Sequence, residues 1–155
     1  MLKVTRPRTA ALALALLLAG VAQQCAAQLI TQAESDREQK HLAEPILVAK
    51  DVTPGAPKIE VLEPANLQQP LAAPVAIRVR FVPENGATVE RKSLRVYYGV
   101  FGVDITERLL QKARFEQNQL TLDRAEIPSG THRLTMSVAD SQNRVAEKQI
   151  TFTIR

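Results

Sequence analysis

Two alternating runs near the C-terminus constrain this chain more than anything else in it. Leu134, Met136 and Val138 alternate with Arg133, Thr135 and Ser137, and Ile150, Phe152 and Ile154 alternate with Gln149, Thr151 and Thr153. A period of two predicts half-buried strands. Ile127-Pro128-Ser129-Gly130 is a turn ahead of the first run, with proline fixing one dihedral and glycine accepting positive φ. Asp140-Ser141-Gln142-Asn143 reverses the chain between the runs, so the two strands pair as an antiparallel hairpin. A hairpin alone is marginal in water, and its apolar face needs a second layer from the rest of the chain.

The N-terminus is expected to be a leader. Lys3, Arg6 and Arg8 form a positive region, Ala10 to Ala22 an apolar one, and Cys25-Ala26-Ala27 a small-residue cleavage site before Gln28. The apolar run is shorter than the roughly 20 residues of a spanning helix, so no membrane span is expected after cleavage. Three of the 20 Lys and Arg lie in this leader, leaving 17 against 16 Asp and Glu. A nearly neutral exported chain gives no ground for nucleic-acid binding. Cys25 is the single cysteine. Removal with the leader leaves no thiol or disulfide; the alternative is a lipidated Cys25, against which Gln23-Gln24 is the wrong context.

Residues 28–57 read as a polar, mobile arm followed by a Pro-rich linker. Glu34, Asp36, Arg37, Glu38 and Lys40 crowd together without a continuous apolar stripe, so a helix there frays or waits for a partner. Within the linker, Ile46-Leu47-Val48 is apolar enough to dock as an extra edge strand. Residues 58–155 make the globular domain. Lys58 to Leu62, Val75 to Phe81, Ser93 to Gly99, Arg114 to Glu116 and Gln119 to Leu122 read as strands. Asp104 with Glu107 forms a capping box for a short helix to Ala113. The fold class is therefore all-β: an immunoglobulin-like two-sheet antiparallel sandwich of about seven strands with one short inserted helix.

The run from Pro128 to Asn143, with Ala139-Asp140 at its turn, and the closing Ile150-Thr151-Phe152-Thr153-Ile154 resemble the last hairpin of bacterial immunoglobulin-like, fibronectin-III-like domains. The resemblance implies an adhesion, spacer or binding module. The chain departs from antibody-type domains in lacking tryptophan and paired cysteines.

No catalytic set stands out, and neither enzyme activity nor a cofactor is expected. His41 lies in the arm, and His132 reads as a partly exposed strand end. His132 and Met136 share a strand parity, but two donors fall short of a copper site, so Met136 reads as core. Asp104, Asp123 and Asp140 are scattered and read as a helix cap and turns. The expected function is an exported, non-catalytic module, monomeric, that binds a protein or cell-envelope component in the periplasm or outside the cell. The alternative is a small periplasmic ligand or copper-type metal carrier. Parity places Arg95, Tyr97 and Arg133 together on the outer face of one sheet, where guanidinium groups beside an amphipathic ring make the expected interaction surface. Arg78 and Arg80 mark the outer face of the other sheet.

Overall fold

Alternation sets the layers. In the computed structural model, which describes residues 28–45 and 53–155, eight strands form two four-stranded antiparallel sheets. They are β1 (Lys58–Glu63), β2 (Val75–Val82), β3 (Arg95–Tyr98), β4 (Val103–Asp104), β5 (Arg114–Glu116), β6 (Gln119–Ala125), β7 (Gly130–Ala139) and β8 (Val145–Ile154). One sheet has the order β1-β2-β6-β5 and the other β4-β3-β7-β8. The strand containing Val96 thus lies in the sheet of the closing hairpin, as the immunoglobulin-like topology requires. The leader at residues 1–27 and Ile46-Leu47-Val48 lie outside the described residues.

The inward parity is the expected one. Val75, Ile77, Val79 and Phe81 on β2 face Leu134, Met136 and Val138 on β7 and Ile150, Phe152 and Ile154 on β8 across one buried cluster. The hairpin turn works through Asp140, whose Oδ1 accepts from the backbone N–H of Gln142 at 2.9 Å and of Arg144 at 3.0 Å. Asn143 takes the left-handed conformation there, at φ 58°. The Asp140 carboxylate is held below the usual range: burial raises it, and the Arg144 side chain together with the Arg144 and Gln142 N–H groups outweighs that.

Three local expectations are corrected. A two-residue strand, β4, brings the count to eight. The inserted helix α2 spans only Thr106–Leu110, and Asp104 Oδ1 accepts from the N–H of Thr106 at 2.8 Å without a reciprocal bond from Glu107. The residues expected to form a mobile arm are docked. Leu29 and Ile30 are buried in the core, and helix α1 (Gln32–Lys40) packs against β7. Thr31 and Glu34 cap α1 reciprocally, the Thr31 hydroxyl accepting from the Glu34 N–H and the Glu34 carboxylate from the Thr31 N–H. No described helix is long and apolar enough to cross a membrane.

Candidate interaction site

The helix α1 buries a polar face. Ser35 and Glu38, one turn apart, are its two buried residues, so the apolar stripe that usually announces a docked helix is missing. Glu38 supplies the anchor. One carboxylate oxygen accepts from Arg133 Nε, and the other accepts from the Val100 N–H at 2.9 Å. The rest of the Arg133 guanidinium reaches carbonyls of the turn after α1: Nη2 donates to His41 O at 2.9 Å and Nη1 to Glu44 O at 2.5 Å. Arg133 therefore lies beneath α1 and the residues that follow it, and the expected open surface of Arg95, Tyr97 and Arg133 is corrected at this position. Outward parity holds for Arg133, but the arm covers it. Arg95 stays exposed and Tyr97 half-buried on β3, and these two still share the outer face.

Two glycines make the docking possible. Gly99, at φ +69°, lets the Glu38 carboxylate sit where a Cβ would be. Gly130, at φ +129°, does the same for the Gln39 amide, whose Nε2 donates to Thr131 O at 2.6 Å and whose Oε1 accepts from Thr131 N at 3.1 Å. The Gln39 side chain thus continues the β7 hydrogen-bond ladder beyond Gly99, the last backbone partner on that side, which donates to Arg133 O at 2.9 Å. At the other end of α1, Arg108 of α2 binds Glu34 through two bonds of 2.9 and 2.7 Å. With Arg108 as the main cause, the Glu34 carboxyl is lowered to about 2.

His132 is fully buried, which corrects the expectation of a partly exposed strand end. Its Nε2 lies 2.8 Å from the Pro128 carbonyl, which can only accept, so Nε2 carries the proton and Nδ1 accepts from the Tyr98 hydroxyl at 2.9 Å. Burial pushes the imidazole below its ordinary pKa and the Tyr98 phenol above its own, the latter reinforced by Glu38. Both ring nitrogens are spoken for.

That arrangement bears on metal binding. Met136 is core, as expected, and His41 Nδ1 sits 2.7 Å from Glu44 Oε1. Among the described residues no three His, Cys, Asp or Glu side chains stand close enough to share an ion. Asp104, Asp123 and Asp140 are engaged separately, with Thr106, Arg114 and Arg144.

What the corner leaves open is an aromatic ring. Phe101, in the turn between β3 and β4, is 55% exposed, the one large hydrophobic side chain so exposed among the described residues. The His41 ring meets its edge at a centroid distance of 5.0 Å, and the Arg37 guanidinium lies 6.0 Å from its centroid. The crevice beside it, lined by Arg37, Tyr98, Gly99 and Val103, has a volume of about 10 Å³, too small for a ligand. A larger groove of about 480 Å³ runs between the edges of β1 and β8, but Lys58 at its rim is already neutralised by Glu84 at 2.5 Å. Sequence reasoning passed over Phe101 because an isolated phenylalanine in a Gly-flanked turn gives no periodic signal.

No family model matches this chain, and no curated protein matches it. Among solved structures it is similar to CopC from Methylosinus trichosporium OB3b, with 19% identity, 63% of this chain and 93% of that chain covered, and a TM-score of 0.42. A likeness that distant carries no argument about function.

Proposed function

We propose that this chain is an exported, non-catalytic interaction module of the periplasm or cell exterior, and that it binds a protein or envelope component at the corner where α1 meets the β3–β4 turn. The observation that carries the reading is Phe101, exposed and bracketed by Arg37 of α1 and by His41 just after it, with α1 tied to the sheet by the Glu38–Arg133 pair. Aromatic and arginine side chains dominate the energetics of recognition patches, and fixing them beforehand lowers the entropy lost on binding. Arg95 and Tyr97 extend the polar surface of the same sheet. The test is capture of partners from envelope extract by the exported protein, compared with Phe101→Ala and Arg37→Ala. Loss of the same partners from both variants, with unchanged melts, supports the corner; full retention moves the site elsewhere. A carrier would behave differently. Stoichiometric copper binding that competes with a strong chelator would replace the interaction reading, with donors drawn from beyond the described residues.

A further inference from the structure

The connection from β2 to β3 turns on Asn85-Gly86, and both residues are exposed. Both take positive φ, 53° and 71°, and the Ala87 N–H donates to Glu84 O at 3.1 Å across them. Two left-handed residues in succession make a mirror-image tight turn, which Asn-Gly suits. In this turn the Gly86 N–H donates to no backbone carbonyl among the described residues, and nothing stands within 4 Å of where a Gly86 Cβ would be. The Gly86 nitrogen is therefore open to the side chain of Asn85, with no side chain of its own to hinder a close approach.

We propose that Asn85 is a self-modification site, deamidated by the backbone of its own turn. The Gly86 nitrogen gives its proton to solvent base and attacks Asn85 Cγ; the new C–N bond closes a cyclic imide, and the side-chain nitrogen takes a proton from water and leaves as ammonia. Water then opens the imide at either carbonyl. One opening leaves aspartate at this position, and the other leaves isoaspartate, with the main chain running through the former side chain. The balance is one water consumed and one ammonia released, with no change of oxidation state.

Arg144 is placed to respond to the new charge. Asn85 Nδ2 and Arg144 Nη1 crowd one spot, 2.8 and 2.7 Å from where a Cβ on Gly55 would sit. The guanidinium is fixed there through Nε on Asp140 Oδ2 at 2.7 Å and Nη2 on Glu84 O at 3.1 Å, so Nη1 is the nitrogen beside Asn85. A carboxylate at this position can accept from Nη1 and then shares the guanidinium with Asp140. Deamidation thus adds a negative charge at the end of the sandwich where the β2–β3 connection meets the Asp140 turn.

The test holds the exported protein at mildly alkaline pH, where the attacking amide loses its proton more readily, and follows it by ion exchange, peptide mass mapping and isoaspartyl methyltransferase labelling. An acidic species should accumulate whose modified peptide contains Asn85, with isoaspartate as well as aspartate in it. Gly86→Ala should slow its formation, because a Cβ there hinders ring closure, and Asn85→Ser, which keeps the glycine, should abolish it. Asn85→Asp should elute with the aspartyl product and shift the Arg144 side-chain N–H signals. An Asn85 that stays intact overturns the proposal, as does earlier conversion at Asn66, Asn118 or Asn143. Unshifted Arg144 signals in Asn85→Asp overturn the pairing with Arg144.

Discussion

Glu38 and Arg133, 95 positions apart in sequence, form an ion pair whose side chains are 2% and 9% exposed. The pair joins the N-terminal segment to the middle sheet strand β7, and the Val100 N–H and the carbonyls of His41 and Glu44 complete its hydrogen bonding. Removing one partner strands a buried charge, whereas a well-packed apolar pair leaves none. Arg133→Met should therefore cost about 3–5 kcal/mol, and Glu38→Gln less because the amide can still accept from Val100. A combined Glu38→Leu, Arg133→Met variant should recover part of the loss. Urea unfolding of the four proteins measures this, and equal losses in single and double variants would contradict it.

Gly99 and Gly102 both hold positive φ, at +69° and +60°, but only Gly99 faces another residue where a Cβ would sit. Alanine at Gly102 pays the left-handed backbone strain alone, about 1 kcal/mol. Alanine at Gly99 pays that and also drives against the buried Glu38 carboxylate. Gly99→Ala should be the more destabilising of the two and should raise amide exchange along α1. Hydrogen exchange decides it; equal protection of α1 in both variants is the contrary result.

Acid should loosen the N-terminal docking in two separate windows. His132 is held below its ordinary pKa by burial, so below pH 6.5 the unfolded chain binds a proton that the folded one refuses. Its contribution is complete above pH 6.5 and falls as pH drops toward the folded value. Glu34, lowered to about 2 chiefly by Arg108, contributes stability above pH 4.5 that is lost as pH falls toward 2. Melting temperature against pH should show both, and Arg108→Ala should flatten only the lower window. Ring NMR signals should show His132 titrating below the range of an ordinary histidine.

The two-sheet sandwich follows from strand alternation. Val79 and Val138 are both fully buried, and the strands around them were legible because a half-buried strand writes its environment into every second residue. The Asp140 turn was legible for a similar reason, since its side chain bonds backbone only two and four residues away. The docking of residues 28–45 depends instead on long-range contacts. Glu34 and Glu38 read locally as solvated polar residues, and their partners Arg108 and Arg133 lie in distant elements. Parity aimed Arg133 outward correctly, but parity reports a direction and not what lies beyond it. His132 was misread for a different reason: a strand end is wet unless other segments close over it, and here Tyr98, the Pro128 carbonyl and the Phe152 ring do so.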